Sequence, residues 1–233
     1  ARAQGIAVCN VRAYCTQSVV QHVVGVLLAL THHFADYQRR LLDGAWSAAS
    51  QFCLLDFPIR ELSGRTLGIV GYGELGRAVA RAAEGLGMQI LVANRPGGER
   101  ADGRYDLDAM LPVVDVLSLH CPLTSATREL IGARELSLMK RDAILINTAR
   151  GALIDTAALA DALRAHRLGG AGIDVLPQEP PVTGDPLLST DIPNLILTPH
   201  IAWAAREARQ RAVDQMTENI ESFLGGGRLR RVV

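Results

Sequence analysis

From about residue 66 onward, short uninterrupted apolar runs alternate with longer stretches whose apolar residues recur every three or four positions. Leu67-Gly68-Ile69-Val70 is such a run, as expected for a strand buried on both faces of a parallel sheet. After it Leu75, Val79, Ala83 and Leu86, spaced 4, 4 and 3 apart, place one stripe of a helix against that sheet. Gly85 and Gly87 end the helix. The same reading predicts strands over 89–93, 115–119, 143–147, 170–175 and 195–198, with helices over 132–139 and 155–167. Strands alternating with helices of this length mean right-handed βαβ units and a doubly wound parallel α/β sheet, a Rossmann fold.

Two long helices flank this pattern. Thr16 or Ser18 can cap the first. Its apolar positions (Val19, Val20, Val23, Val24, Leu27, Leu28 and Leu30) cover most of its circumference, so it must be buried on more than one side. Either it is a central core helix or it also packs across a subunit interface. At 12 residues, with Gln21 and His22 inside it, the stretch 19–30 is too short to span a bilayer. The last helix carries Val213, Met216, Ile220, Phe223 and Leu224 on an amphipathic stripe suited to docking, and Gly225-Gly226-Gly227 stops it.

Composition narrows the class. At 233 residues the chain is long enough to bury a core without disulfide or metal staples, and 48% apolar with 21% charged residues excludes disorder or a coiled coil. Lys plus Arg balances Asp plus Glu at 24 each, so no basic field exists to attract nucleic acid. Cys9, Cys15, Cys53 and Cys121 have no metal-site spacing and read as idle thiols of a reduced, cytoplasmic protein. The first residues lack the features of a signal peptide. With no initiator methionine and an opening in mid-pattern, a fragment of a longer protein is expected.

Gly71-Tyr72-Gly73-Glu74-Leu75-Gly76 has the G-x-G-x-x-G spacing between a strand and a helix, the context in which it signals dinucleotide binding. Gly71 permits the tight turn, Gly73 lets the backbone approach a pyrophosphate, and Gly76 lets helix and sheet lie close. The alternative is a strand-to-helix turn that merely uses glycines. At the end of the second strand an Asp or Glu would bond the ribose of NAD; Asn94-Arg95-Pro96 stands there instead. With no carboxylate to repel a 2′-phosphate and an arginine beside it, the loop favours NADP over NAD, although Asn94 binding a ribose hydroxyl would leave NAD usable.

Three polar residues follow later strands, at the edge where doubly wound proteins bind ligands: Arg150 after Ile146-Asn147-Thr148, Glu179 in Pro177-Gln178-Glu179-Pro180-Pro181, and His200 after Thr198-Pro199. Singly they could be a surface arginine, a loop carboxylate and a helix-capping histidine. Together they form a chemical set. His22, His32, His33, His120 and His166 are read as lacking such partners, with His120 structural and His166 solvated.

At this point the chain resembles the D-isomer-specific 2-hydroxyacid dehydrogenases over nearly its whole length. The glycine loop, His120-Cys121-Pro122-Leu123-Thr124, Asn147-Thr148-Ala149-Arg150-Gly151, Gly172-Ile173-Asp174-Val175 with Glu179-Pro180, and Thr198-Pro199-His200 stand in the family's order. His200-Ile201-Ala202-Trp203 and Glu207-Ala208-Arg209 look like the glycerate dehydrogenase (hydroxypyruvate and glyoxylate reductase) branch. Glu179 speaks against the formate dehydrogenases of the family, which carry glutamine there. The resemblance implies that His200 is the general acid/base and that Glu179 pairs with it, keeping a proton ready near neutral pH. Arg150 would bind the substrate carboxylate as a bidentate donor. Asp174 would bond the nicotinamide carboxamide, and Pro122 and Thr148 would line the cofactor cleft. Trp203 is a pocket wall by this analogy and a core aromatic otherwise.

The implied division is 1–15 as the remnant of a flavodoxin-like substrate domain, 16–60 as a crossing helix and dimer arm, 61–202 as the Rossmann domain, and 203–233 as a returning helix. Gly5-Ile6-Ala7-Val8-Cys9-Asn10 would be the remnant's last strand, and cofactor binding is expected to survive better than turnover. The implied partners are a small 2-oxo acid and a second copy in a homodimer, with no membrane and no nucleic acid. Two other readings compete with the enzyme: a dinucleotide sensor like the corepressors sharing this fold, and a non-catalytic dimeric fragment.

Overall fold

Six parallel strands organise the chain in the computed structural model, which describes residues 1–233. They are β1 (Thr66–Val70), β2 (Gln89–Val92), β3 (Val116–Leu119), β4 (Ile144–Asn147), β5 (Gly170–Ile173) and β6 (Leu195–Leu197), in the spatial order β2-β1-β3-β4-β5-β6. All six coincide with predicted runs. The helices are α1 (Thr16–Thr31), α2 (Phe34–Leu42), α3 (Glu74–Glu84), α4 (Leu107–Met110), α5 (Ala133–Leu138), α6 (Thr156–Arg164) and α7 (Arg206–Leu224). Strand side chains alternate between two cores. Leu67, Ile69, Val116, Ile144 and Ile146 pack under α1 and α3, while Leu117, Leu119 and Leu145 face the layer of α4, α5 and α6. The strand order reverses beside β1, so the exits of β1 and β3 open onto one crevice, where such sheets hold ligands.

α1 lies across β4, β5 and β6 because β5 has no side chain to keep it away. A Cβ at Gly172 would stand 2.2 Å from Val26 Cγ1. Val19, Val23, Val26, Leu27 and Leu30 form the buried stripe, while Val20, Val24 and Leu28 are only partly covered. The four cysteines are free thiols. No single helix is long and apolar enough to cross a membrane.

The flanks depart from expectation in four places. Neither Thr16 nor Ser18 caps α1: Cys15 is its N-cap, Thr16 Oγ1 donates to Glu74 Oε1, and Ser18 Oγ donates to the Ala202 carbonyl. The crossing helix stops at His32 and His33, whose left-handed backbone (φ 52°) turns the chain into α2; beyond Leu42 the segment 43–60 forms no helix or strand. Tyr37, Arg40 and Trp46 hold that segment through Phe57 O (3.0 Å), Asp56 (2.6 Å) and Phe52 O (2.9 Å). Residues 5–10 make only a single bridge, Cys9 to Arg231.

The fourth departure is α7, whose apolar stripe does not dock. Val213, Met216, Ile220, Phe223 and Leu224 are 54–78% exposed. The helix is fastened by its polar face instead. Arg211 donates to Tyr14 O (2.9 Å), Gln215 bonds both backbone groups of Arg12 (2.8 and 2.9 Å), and Asn219 donates to Asn10 O (3.0 Å). Residues 10–14 lack sheet partners for these backbone groups, and polar side chains at helical spacing satisfy them. Apolar burial on the opposite face is not needed for that contact.

Candidate active site

The glycine loop leaves β1 with Gly71 at φ +96°, a conformation side-chain-bearing residues avoid. A Cβ there would lie 2.5 Å from the His120 carbonyl carbon and the Cys121 amide, so the β1 and β3 exit loops touch backbone to backbone. At Gly76 a Cβ would stand 2.1 Å from Gly71 O, whereas at Gly73 it would meet nothing within 4 Å. Gly71 and Gly76 are thus required by the fold, and Gly73 leaves an open space at the N-terminus of α3, where unpaired N–H groups favour an anion. The side chains between them turn elsewhere. Leu75 packs into the core, Glu74 takes the Thr16 hydroxyl, and Tyr72 lies 5.8 Å below the Arg104 guanidinium.

Beyond β2, Asn94, Arg95, Gly97 and Arg100 line a concavity with Val70 and Ala93 at its base. Asn94 is occupied there: Nδ2 donates to Asp106 (2.9 Å) and Oδ1 accepts the Ala101 amide (3.0 Å). Arg100 pairs with Asp106 (2.5 Å), while Arg95 is exposed at the rim. Asn94 therefore shapes the loop, and the cation rather than the amide faces outward.

After β4 the buried Asn147 folds the next turn by donating to Arg150 O (2.8 Å) and accepting the Ala149 amide (3.0 Å). Arg150 itself is exposed and donates only to the neighbouring Ala149 carbonyl (2.6 Å). A Cβ at Gly151 would sit 1.9 Å from Leu176 C, which brings the Arg150 turn against the loop carrying Glu179. Arg150, Leu123, Leu176, Pro177 and Glu179 line one cleft. His200 Nδ1 lies 2.6 Å from Glu179 Oε2, while Glu179 Oε1 accepts the Leu176 amide (2.9 Å). The pair is open to solvent, at 39% and 35% side-chain exposure. An Nδ1–H bond to the carboxylate leaves Nε2 as the nitrogen free for proton transfer. Trp203 is half-exposed and edge-on to Tyr14 at 6.4 Å, which is neither a buried core aromatic nor a closed wall. Burial pushes the Tyr14 phenol up, Cys15 adds to this, and Arg150 pulls the other way.

Other predicted residues fall into different places. Thr148 Oγ1 is buried with no hydrogen-bond partner, and so is Nδ1 of His120. Pro122 is exposed at the β3 exit, its carbonyl bonded by Thr127 Oγ1 (2.7 Å). Asp174 is 1% exposed, and its carboxylate already accepts Thr198 Oγ1 (2.5 Å) and the amides of Ile201 and Ala202 (2.9 Å each). It braces the turn bearing His200, and any bond to a carboxamide is confined to what these three donors leave. The reading of the remaining histidines needs correction. His22 Nε2 reaches Thr198 Oγ1 at 3.2 Å and stands 3.8 Å from Asp174, and His33 pairs with Asp36 at 3.0 Å. The signal for His22 was present in Ser18 and His22, polar residues four apart in an apolar helix.

An open glycine cradle after β1, a concavity with a free cation beyond β2 on one side of it, and an unpartnered buried hydroxyl after β4 on the other side fit a dinucleotide. Gly73 and the first α3 amides would hold its diphosphate, and Thr148 would face its far half. When bound, a reduced nicotinamide supplies hydride. This fold and site define a nicotinamide-dinucleotide-dependent oxidoreductase.

Comparisons agree. The profile of "D-isomer specific 2-hydroxyacid dehydrogenase, NAD binding domain" matches residues 24–202. The glycerate dehydrogenase of Methylorubrum extorquens is 49% identical over 97% of this chain and 71% of its own length. For the hydroxypyruvate reductase of Blautia hydrogenotrophica the figures are 38%, 97% and 71%. An acyclic imino acid reductase solved with NADPH and D-Arg superimposes with TM-score 0.86 and 31% identity, over 100% of this chain and 73% of that one. The chain belongs to the D-isomer-specific 2-hydroxyacid dehydrogenase family, whose enzymes move hydride between a nicotinamide cofactor and a 2-hydroxy or 2-oxo acid.

Proposed function

We propose that the chain serves the reduction of hydroxypyruvate or glyoxylate, and the reverse oxidation of D-glycerate, with His200, Glu179 and Arg150 as the acting side chains. The observation that carries this is the 2.6 Å His200–Glu179 pair beside a cleft shared by Glu179 with an arginine that has no carboxylate partner. His200 gives the proton that the substrate carbonyl oxygen takes up. Glu179 fixes the imidazole tautomer and balances its charge, and Arg150 binds the substrate carboxylate through its planar fork. A short 2-oxo acid has one carboxylate and one carbonyl for these two donors. The exposed Arg95 favours NADP, since a 2′-phosphate needs a cation at that rim. The partly covered outer side of α1 and the arm over 43–60 are assigned to a homodimer, and the free thiols suit the cytoplasm.

The test is titration of wild type and Arg95→Ala with NADH and NADPH by fluorescence, followed by assays of NADH and NADPH oxidation in the presence of hydroxypyruvate or glyoxylate. NADPH affinity falls at least about tenfold in the variant while NADH affinity holds, as loss of one charge-assisted phosphate contact implies. Equal losses for both nucleotides would remove the NADP preference. Nucleotide binding with no oxidation of NADH or NADPH by either acid would favour a sensor.

A further inference from the structure

Two hydrogen-bonded groups lie on opposite sides of the His200 turn, and only one of them faces the cleft. Behind the turn, the Asp174 side chain is fully buried, and a carboxylate without water needs donors on all sides. Three are in place: Thr198 Oγ1 at 2.5 Å and the Ile201 and Ala202 amides at 2.9 Å each. The Asp174 carbonyl also accepts the His200 amide at 2.7 Å. One residue thus holds three successive amides of the turn. The grip has work to do, because His200 sits at φ +54°, where a non-glycine residue persists only if its surroundings over-determine it.

α1 reinforces this grip from outside the sheet. Ser18 Oγ donates to Ala202 O (2.6 Å) and accepts the Ala205 amide (3.2 Å). One helical turn on, His22 Nε2 lies 3.2 Å from Thr198 Oγ1 and 3.8 Å from Asp174 Oδ1. No other Lys, Arg or His side-chain nitrogen comes within 4.0 Å of that carboxylate. An ionised carboxylate only accepts, so the single hydroxyl proton of Thr198 is committed to Asp174, and Oγ1 must accept from His22. The proton order is His22 Nε2–H to Thr198 O–H to Asp174.

We propose that His22 is a positioning residue: through Thr198 and Asp174 it holds the turn that presents His200 to the cleft, without touching the reacting groups. The proposal rests on the reading of His200 as the proton donor.

The test compares His22→Leu and His22→Gln with wild type, and uses His200→Asn as the reference for that reading. Long-range ¹⁵N–¹H imidazole spectra of the whole chain show His22 as the Nε2–H tautomer. His22→Leu speeds exchange of the Ile201 and Ala202 amides at least about tenfold, lowers kcat by a similar factor, and leaves strand amides and cofactor Kd within about twofold. His22→Gln, whose amide N–H can stand in for Nε2–H, restores the exchange and kcat to within about threefold. An Nδ1–H tautomer, unchanged turn amides in His22→Leu, or a loss spread evenly over the strands that Gln does not rescue each overturn the proposal. If His200→Asn leaves turnover intact, the catalytic reading falls, while the tautomer and amide measurements still decide whether His22 holds the turn.

Discussion

Where the strands begin, charges answer one another. The Asp115 carboxylate accepts the Thr66 amide (2.8 Å), the Lys140 ammonium (2.9 Å) and the Arg65 guanidinium (3.3 Å), and Arg60 pairs with Asp142. Burial works to raise the Asp115 carboxyl, but these donors outweigh it and hold it below the usual range. Where the strands end, polar groups are arranged and left open. Arg150 bonds only its neighbour's carbonyl, Thr148 Oγ1 and His120 Nδ1 have no partner, and the His200–Glu179 pair faces solvent. Both edges carry similar chemistry. At the first edge the charges are spent on one another; at the second, two buried groups lack a partner and an ion pair is open to solvent, a pattern that fits a site awaiting a ligand.

Substitution at each edge can break that contrast. The largest effect is expected from His200→Asn. Turnover falls by about 10²- to 10⁴-fold, the ordinary worth of a general acid, while cofactor Kd moves by less than about threefold. Steady-state kinetics with fluorescence titration checks both, and a variant retaining a tenth of wild-type turnover would end the assignment.

Next is the acid response of His120. Burial holds its imidazole down at about 4 in the folded chain, against about 6.5 when unfolded. The folded state resists the proton that the unfolded state takes up. The stability contribution is therefore complete above about pH 6.5 and is lost as pH falls to about 4, on the order of 3 kcal/mol in all. Urea unfolding at pH 7, 5.5 and 4 should show wild type losing that much more stability than His120→Gln; parallel losses would place the imidazole in water.

The smallest effect tests the opposite edge. Asp115→Asn costs about 1–2 kcal/mol at pH 7 by leaving its donors short of an acceptor, yet leaves turnover within about twofold. Because the folded carboxyl is held low, its contribution is present above about pH 4 and fades as acid protonates it in both states. Urea unfolding of this variant beside an activity assay decides it. A tenfold loss of turnover would mean that the two edges are not separate.

Much of this was readable beforehand because parallel strands impose local rules. Continuous apolar runs such as 67–70 can be stable only with both faces covered, and glycines at 71 and 76 stand where any Cβ would strike backbone. Arg150, Glu179 and His200 were legible as residues following strand ends, and the fold brings them to one side of the sheet. The α7 stripe misled because periodicity fixes a helix and a face but not what lies opposite: Gln215 and Asn219 made the contact that Met216 and Ile220 were expected to make.

Order along the chain therefore determined the sheet, the glycine turn and the family, since each depends on residues a few positions apart. Only the folded arrangement decided that Asp174 holds the His200 turn, that His22 reaches it from a helix 176 positions from Thr198, and that Asn94 is spent on its own loop. Hydrogen bonds of that kind depend on ångström-scale approach between segments distant in sequence, and no local periodicity encodes such approaches.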